Sequence, residues 1–322
     1  MKAIRVHETG GPEKLAYEEV DVPNPGRSQI RVAVQAIGVN FIDIYHRSGL
    51  YKVPLPFTPG MEAAGVVDAV GDGVSDLSPG DRVAYAMNLG TYAEYAIAHS
   101  RHMVKLPRTV DFPSAAAAML QGMTAHYLTA STFDLQSGHT ALVHAAAGGV
   151  GLLLVQICRM IGAHVIGTVS TEEKAKLAFE SGANHVVRYD QVDFETEVKE
   201  ITAGKGVDVV YDSVGRATFE KSLNCLKRRG MLVLFGQSSG PVAPIDLNIL
   251  NARGSLYVTR PSLAHYTASE EETRWRAGEI LEWLAGGTLK LRIDKTFPLP
   301  EAADAHRALE SRQTMGKLLL TP

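Results

Sequence analysis

The sequence predicts an α/β protein with two parts, a β-barrel-like domain and a doubly wound parallel sheet. Residues 1 to about 122 are rich in short alternating runs and Gly/Pro turns, which are typical of antiparallel strands. From residue 123 onward, strand-like runs alternate with helical stretches, and this pattern predicts parallel strands joined by helices. We therefore expect one domain to comprise residues 1–122 and 262–322, and the other to comprise residues 123–261.

The N-terminal part supplies the strands of the predicted barrel. Residues 30–36 alternate between apolar and polar side chains, and residues 64–71 form an apolar run that ends in a turn. Residues 78–80, Ser-Pro-Gly, are typical of a turn, and another strand follows them directly. The C-terminal stretch carries an amphipathic helix at Glu270–Ala285 and a closing strand at 317–320, and we expect it to fold back onto this domain.

Six apolar runs predict the strands of the parallel sheet. They lie at residues 140–144, 163–169, 185–188, 207–212, 231–236 and 255–259. Helical stretches such as Glu172–Glu180 and residues 218–226 separate them, as a doubly wound sheet requires. No apolar run approaches the roughly 18 residues that a membrane-spanning helix needs.

The junction between the first of these strands and the next helix is the most informative segment. A buried strand at 140–144 leads through small residues into a helix whose apolar stripe includes Val150 and Leu154. Larger side chains would keep the backbone away from a pyrophosphate, whereas the amides of a helix N-terminus can bind one. The residues that we assign to this contact are Gly148, Gly149, Val150 and Gly151.

Composition is typical of an intracellular enzyme. The 322 residues carry 32 basic and 35 acidic side chains, and the net charge of −3 favours neither a nucleic-acid nor a membrane partner. The two cysteines, Cys158 and Cys225, are too few for a disulfide framework. The N-terminus lacks the apolar core of a signal peptide, so we expect a cytoplasmic protein.

The end of the second strand of the sheet indicates which nicotinamide cofactor is bound. An acidic residue there selects NAD by accepting a hydrogen bond from the ribose 2′-hydroxyl. Here no acidic residue lies at the tip of the strand, and Ser170 with Lys174, one helical turn later, suits the 2′-phosphate of NADPH. The neighbouring acidic residues Glu172 and Glu173 argue against NADPH. The alternative is that this segment is a helix cap followed by solvated charged side chains. Tyr189, after the third strand, is a candidate to cover the adenine.

Several motifs resemble those of the medium-chain dehydrogenase/reductase superfamily, and together they extend from Met1 to Pro322. The general motifs of that superfamily lie at residues 38–43, 59–65, 80–83 and 144–151. Those at residues 47–51, 211–215 and 254–261 resemble its zinc-free quinone oxidoreductase branch, the zeta-crystallin-like proteins. The resemblance implies a GroES-like β-barrel catalytic domain and a Rossmann nucleotide-binding domain. It also implies NADPH-dependent quinone reduction in the cleft between them, and a homodimer joined through edge strands at 254–259.

The residues at the expected zinc position favour a metal-independent reaction. Alcohol dehydrogenases of this superfamily hold a catalytic zinc ion with cysteine, histidine and acidic ligands. The resemblance places Asn40, Met61 and Glu62 at the corresponding positions. An amide and a thioether replace the thiolate and the imidazole, so the usual zinc ligation is lost. Without a Lewis acid the electrophile must be activated by conjugation, as it is in quinones and α,β-unsaturated carbonyls.

Asn40, Tyr45 and Tyr51 are the candidate catalytic residues, in a segment that the resemblance places at the cleft. Asn40 is expected to hydrogen-bond the nicotinamide or the substrate oxygen, and the tyrosines are expected to donate to a quinone carbonyl. The alternatives are that Asn40 tightens a turn and that the tyrosines pack the wall between the domains. A quinone needs little proton assistance, so an obligatory acid–base residue is not required.

The resemblance also assigns residues outside the glycine turn to the cofactor site. Residues 121–127 are expected to open a helix that approaches the nicotinamide, with core packing as the alternative. Asp43 either orients backbone near the nicotinamide or caps the helix that carries Tyr45. The resemblance assigns Phe41, Asp43, Thr124, Tyr127 and Arg312 in this way. Ser213, Phe235, Gly236 and Ser238 are added because they follow strands at the rim where open α/β sheets bind ligands, with ordinary loop chemistry as the alternative for the serines.

Two other functions remain open from the sequence. The same cleft would serve an NADPH-dependent enone or 2-alkenal reductase, which the sequence does not separate from a quinone reductase. A non-catalytic role, as in crystallin-like or RNA-binding relatives, is disfavoured by the complete cofactor motif and the acidic net charge. The basic run at 227–230 is assigned instead to a helix end, where cations and a glycine cap account for it.

Overall fold

The structure, a computed structural model, describes residues 1–322 and divides into two compact units. Unit 1 comprises Met1–Met123 and Tyr266–Pro322, and unit 2 comprises Thr124–His265. Each unit has its own apolar core. Ile30, Val32 and Ile37 are fully buried in unit 1, and the core of unit 2 is built in the same way from the apolar side chains of its central strands.

Unit 1 begins with an antiparallel arrangement of short strands. In chain order the elements up to the boundary are β1 (Lys2–Arg5), β2 (Ala16–Glu19), β3 (Gln29–Val39), α1 (Phe41–Arg47), β4 (Glu62–Val70), β5 (Arg82–Ala86), β6 (Tyr95–His99), β7 (Met103–Lys105) and α2 (Phe112–Tyr127). Strand β3 is the centre of the sheet and pairs antiparallel with both β4 and β6. Alternate residues of β3 are buried from Gln29 to Ala36, as the period of a half-buried strand predicts, and Ala36–Val39 are buried throughout.

Unit 2 contains a six-stranded parallel sheet. Its elements are β8 (Thr140–His144), α3 (Gly149–Ile161), β9 (His164–Val169), α4 (Glu172–Glu180), β10 (His185–Arg188), α5 (Phe194–Ile201), β11 (Val207–Asp212), α6 (Phe219–Cys225), β12 (Leu226–Leu234), α7 (Asn248–Ala252), β13 (Tyr257–Thr259) and α8 (Leu263–Tyr266). The strand order is β10-β9-β8-β11-β12-β13, and every pair is parallel. This order reverses direction between β8 and β11, so the predicted doubly wound sheet is confirmed.

The C-terminal residues return to the sheet of unit 1. They form α9 (Glu270–Ala285), β14 (Ile293–Pro298), α10 (Ala302–Glu310) and β15 (Lys317–Thr321). Strand β15 pairs antiparallel with β3, and β14 pairs with β15 at the edge of a seven-stranded sheet. The predicted helix Glu270–Ala285 has the expected bounds.

Two local expectations were wrong. Residues 121–127 form the second half of α2 and do not open a helix, because α2 already begins at Phe112 and runs through an alanine-rich stretch. Residues 227–230 belong to β12, which begins at Leu226. The pairing of β12 with β11 is irregular there, and the left-handed residue is Arg229 (φ 63°), so Gly230 is not a helix cap.

Candidate active site

The turn between β8 and α3 brings backbone amides to the carboxyl edge of the parallel sheet. Helix α3 begins at Gly149, and Gly148 precedes it as N-cap with extended backbone (φ −77°, ψ 171°) and no capping side chain. The four predicted residues, which also include Val150 and Gly151, therefore lie together around the first turn of α3. A helix N-terminus of this kind offers N–H groups and the positive end of the helix dipole to an anion.

Contacts within this turn explain its small residues. A Cβ atom on Gly151 would lie 2.2 Å from the Ala145 carbonyl oxygen, so α3 can approach the turn only with glycine at that position. Ala145 itself has a φ of 51°, a left-handed conformation that residues with a side chain rarely adopt. From the sequence, the only reason given for these glycines was the close approach of a phosphate to the backbone. The structure adds that Gly151 is required for packing α3 against the turn.

Ser170 and Tyr189 directly follow the adjacent strands β9 and β10, and Lys174 lies in the first turn of α4. The Thr171 side chain caps α4 by accepting a hydrogen bond from the Lys174 N–H at 3.3 Å, so a helix cap is present here. Tyr189 directly follows β10, and its N–H donates to the Val169 carbonyl at 3.1 Å. The Tyr189 side chain is 52% exposed, so its ring is accessible at this end of the sheet.

The loops after β11 and β12 adjoin each other at the same edge of the sheet. The buried Asp212 carboxylate accepts two backbone N–H bonds from the loop after β11. The Phe235 N–H donates to the Asp212 carbonyl at 2.9 Å, and the Ser238 N–H donates to the Ser213 carbonyl at 3.1 Å. A Cβ atom on Gly236 would lie 2.6 Å from that Ser213 carbonyl oxygen. The four residues predicted for this rim are thus brought together.

A second group of predicted residues surrounds α1 in unit 1. Asn40 is the N-cap of α1 and Phe41 its first residue. The Asn40 N–H donates to the Asp43 carboxylate at 2.8 Å, so Asp43 caps the helix that carries Tyr45. The Tyr51 N–H donates to the Tyr45 carbonyl at 3.0 Å, and the two rings meet edge to face with centroids 5.2 Å apart. All five residues share this helix and the turn that follows it.

Asn40 also belongs to a buried polar cluster with Glu62 and Lys317. Lys317 Nζ lies 2.7 Å from Asn40 Oδ1 and 2.5 Å from Glu62 Oε2. Asn40 Nδ2 donates to Glu62 Oε2 at 2.9 Å and to the Gly38 carbonyl at 3.2 Å. At most 4% of any of these three residues is exposed. A buried ion pair therefore holds the Asn40 amide in one orientation.

The side chains at the position that the resemblance links to zinc do not fit a zinc ion. Asn40 and Met61 present an amide and a thioether, and Glu62 is already paired with the Lys317 ammonium. A metal ion bound to Glu62 would also meet the positive charge of Lys317 at close range. No three His, Cys, Asp or Glu side chains of the chain are grouped as metal ligands.

A hydrogen-bonded chain runs from Asp43 to the surface of unit 1. The Tyr92 hydroxyl donates to Asp43 Oδ2 at 3.1 Å and lies 3.0 Å from His306 Nε2. Arg47 donates to His306 Nδ1 at 3.1 Å and to both Glu310 carboxylate oxygens at 2.7 and 3.2 Å. Because a guanidinium only donates, His306 is neutral and carries its proton on Nε2. Burial raises the pKa of Asp43 to about 7, and burial with the nearby Arg47 lowers the pKa of His306 to about 3.

The remaining predicted residues lie on other elements. Thr124 and Tyr127 are buried in the second half of α2, with 7% and 2% exposed. Arg312 follows α10 in a left-handed conformation, with φ 59°.

Sequence reasoning missed most of the buried polar side chains in unit 1. Lys317 could have been found from the sequence, because it directly precedes three leucines in an apolar strand. A charged residue in such a strand needs a buried partner. Tyr92 and His306 carried no comparable signal, since each lies in an ordinary amphipathic segment.

Two family models match the chain. The model for the alcohol dehydrogenase GroES-like domain matches residues 26–108, and the model for zinc-binding dehydrogenase matches residues 149–278. The two matched segments fall in unit 1 and largely in unit 2, respectively.

Full-length relatives and solved structures are also similar to the chain. A quinone oxidoreductase of Pseudomonas aeruginosa is 46% identical over 100% of this chain and 99% of its own length. A 2-haloacrylate reductase of a Burkholderia species is 44% identical over 100% of this chain and 99% of its own length. The crystal structure of Escherichia coli quinone oxidoreductase complexed with NADPH is 46% identical, covers all of both chains and superposes with a TM-score of 0.98.

Proposed function

We propose that this chain, which belongs to the medium-chain dehydrogenase/reductase family and to its zeta-crystallin-like quinone oxidoreductase branch, reduces quinones with NADPH. The observation that carries the proposal is the N-terminus of α3, which has no capping side chain and suits a pyrophosphate. The E. coli relative with bound NADPH supports it, because the similarity extends over the whole chain. When bound, NADPH supplies a hydride to the acceptor.

The cofactor contacts that we propose follow the carboxyl edge of the parallel sheet. The amides of Gly149, Val150 and Gly151 hold the pyrophosphate, with Gly148 leaving the approach open. Ser170 and Lys174 bind the 2′-phosphate, and Tyr189 covers the adenine. Family resemblance assigns the remaining contacts to Phe41, Thr124, Tyr127, Ser213, Phe235, Gly236, Ser238 and Arg312, and Asp43, whose buried carboxylate caps α1, orients backbone near the nicotinamide in this proposal.

Tyr45 and Tyr51 are the hydroxyl groups that we propose to bind the quinone oxygen. Asn40 acts in this proposal by fixing α1, because its Nδ2 group already donates to Glu62 and to a backbone carbonyl. A quinone accepts hydride at a conjugated carbon and spreads the charge onto a distant oxygen. A hydrogen-bond donor therefore suffices where alcohol oxidation would need a Lewis acid.

The proposal is tested by a panel of acceptors with NADPH and the purified protein. We expect the kcat/KM for at least one class of quinone, 1,4- or 1,2-, to exceed that for enals by about tenfold or more. Oxidation of NADPH no faster than in protein-free mixtures, for every quinone, would refute the proposal.

Reduction of an activated alkene is the second candidate function. The Burkholderia relative named 2-haloacrylate reductase favours it, with 44% identity over the whole chain. Both reactions need a conjugated acceptor and the same cofactor contacts. Including 2-haloacrylates and enones in the panel decides between them, and a preference for those alkenes over all quinones would select this candidate.

We also propose that the protein is a homodimer joined through β13. Strand β13 is an edge strand of the parallel sheet and pairs only with β12. Tyr257 on β13 is 58% exposed, and Leu247 nearby in sequence is 71% exposed. A free strand edge with exposed apolar side chains suits pairing with a second copy. Light scattering should show a dimer for the wild type and a monomer for Tyr257→Lys, and a monomeric wild type would contradict the proposal.

We place the protein in the cytoplasm. Cys158 and Cys225 are both free and buried, which suits a reducing compartment. Recovery of the chain from a secreted or periplasmic fraction of intact cells would contradict this placement.

A further inference from the structure

Arg188 ends β10, the strand beside the proposed ribose site. In the register of the sheet it lies opposite Val169, the last residue of β9. Adjacent strands are about 4.8 Å apart, so the Arg188 backbone is one strand spacing from the residue before Ser170. Its side chain extends to the first turn of α4, where it reaches Glu172. A guanidinium therefore lies at the end of the sheet where we propose that the 2′-phosphate binds.

The Arg188 guanidinium is surrounded by acceptors. It donates to Glu172 at 2.9 Å and to both carboxylate oxygens of Asp190 at 2.8 and 3.3 Å. The Gln191 amide oxygen accepts from it at 2.9 and 3.0 Å in the orientation that pairs donors with acceptors. The Arg188 side chain is 24% exposed, whereas that of Glu172 is 75% exposed. The guanidinium is therefore the anchored member of the Glu172 pair, and the carboxylate is the member that can turn into solvent.

Glu172 would oppose phosphate binding if its charge were uncompensated. It follows Ser170 by two residues, and Glu173 is next to it on the exposed first turn of α4. Asp190, which Arg188 also binds, adds a third carboxylate, so without Arg188 the single cation Lys174 would face three carboxylates. A 2′-phosphate would then meet net repulsion, whereas the 2′-hydroxyl of NADH would meet acceptors.

We propose that Arg188 selects NADPH over NADH by neutralising Glu172 in the free protein and by exchanging that carboxylate for the 2′-phosphate of the cofactor. The exchange keeps the guanidinium in charge-assisted hydrogen bonds throughout, and bidentate pairing with phosphate suits its planar geometry. This inference rests on the proposed function and adds to it a specificity residue on the neighbouring strand.

Fluorescence titrations of the full-length protein with NADPH and with NADH test the inference. Arg188→Gln removes the charge, and we expect the Kd for NADPH to rise about 10- to 100-fold. The Kd for NADH should change by less than about threefold, because its 2′-hydroxyl does not need the cation. The double variant Glu172→Gln/Arg188→Gln should recover part of the NADPH affinity, since the uncompensated carboxylate is gone. Arg188→Lys should retain most of the preference.

Lys176→Gln is the matched control, because Lys176 lies on the same helix as Glu172 and forms an exposed ion pair with Glu180. It makes the same change in net charge, and both Kd values should stay at those of the wild type.

Three outcomes would overturn the inference. They are an equal loss of affinity for both cofactors in Arg188→Gln, an unchanged NADPH Kd in that variant, and a wild type that binds both cofactors without preference. A wild type that binds neither cofactor would refute the proposed function itself. Retained NADH binding in Arg188→Gln shows that the variant is folded.

Discussion

Lys317 and Glu62 form an ion pair inside unit 1, with Nζ 2.5 Å from Oε2 and side chains that are 2% and 0% exposed. The pair connects the first residue of β15 to the first residue of β4, and both partners contact the Asn40 side chain. The other Glu62 oxygen accepts a backbone N–H of α2, from Leu120. One carboxylate thus joins elements that are far apart in the sequence and sets the orientation of Asn40, the N-cap of α1.

Removing one member of this pair should destabilise unit 1. Lys317→Met leaves Glu62 buried without its cation, and we expect the free energy of unfolding to fall by about 3–5 kcal/mol. Urea unfolding followed by tryptophan fluorescence measures this in unit 1, because both tryptophans, Trp275 and Trp283, lie on α9. Lys317→Met/Glu62→Gln should recover most of the loss, and a double variant no more stable than Lys317→Met would contradict the assignment.

Any side chain at Gly151 should impair cofactor binding. Gly151→Ala places a Cβ atom against the Ala145 carbonyl and displaces α3 from the turn, so the NADPH Kd should rise by more than about tenfold. Gly151→Asp adds a carboxylate beside the pyrophosphate and should abolish binding in a calorimetric titration. Gly278→Ala is the control, because a Cβ atom on Gly278 in α9 meets no atom within 4 Å. Unchanged affinity in both Gly151 variants would place the cofactor elsewhere.

The buried Asp43 carboxyl should make stability fall as the pH rises. Its folded pKa of about 7 lies above the ordinary value of 3.8, so between these values the folded protein keeps a proton that the unfolded chain has lost. The stabilisation from this group is complete below the unfolded pKa of 3.8 and is lost as the pH rises above the folded pKa of about 7. Asp43→Asn should remove this decline in unfolding experiments from about pH 5 to about pH 8. Parallel profiles for the wild type and the variant would contradict the prediction.

His306 should have the opposite effect. Its folded pKa of about 3 lies below the ordinary value of 6.5, so in that interval the unfolded chain binds a proton that the folded protein does not. Stability should therefore fall on acidification, by about 1.4 kcal/mol per pH unit from this residue alone. His306→Gln keeps a polar side chain without the titration and should flatten the acid limb of the unfolding profile. An acid limb of unchanged slope would show that His306 is protonated in the folded state.

Chelation should leave turnover unchanged. The position that the family resemblance links to zinc carries Asn40, Met61 and a Glu62 that is paired with Lys317, and these side chains lack the donors that zinc prefers. NADPH-dependent quinone reduction should proceed at the same rate after treatment with a chelator and removal of metal. Loss of the rate, with recovery on adding zinc, would contradict the metal-independent account.

The sequence predicted those features that depend on local pattern. The alternation of strand and helix in unit 2 and the small-residue turn before Val150 are readable because each is set by neighbouring residues. The bounds of Glu270–Ala285 follow from its pattern in the same way, since Ser269 caps the helix by accepting from the Glu272 N–H. The parallel direction of the strands then follows from the helices that connect them.

The missed features depend on contacts between distant segments. Lys317 meets Glu62 only because β15 returns to β3, and Arg188 lies beside the end of β9 only through the register of β10. Neither pairing is set by spacing along the chain. The extent of α2 was missed for another reason, because its buried alanines lack the periodic contrast that marks an amphipathic helix.

A single-turnover experiment measures whether the protein transfers hydride from bound NADPH to a quinone. The protein is mixed with a stoichiometric amount of NADPH, and the loss of the reduced nicotinamide signal is followed after adding a 1,4-quinone. We expect complete oxidation of the bound NADPH at a rate well above that of the protein-free mixture, and loss of this acceleration in Gly151→Asp. Oxidation at the protein-free rate, with NADPH shown to be bound, would contradict this expectation.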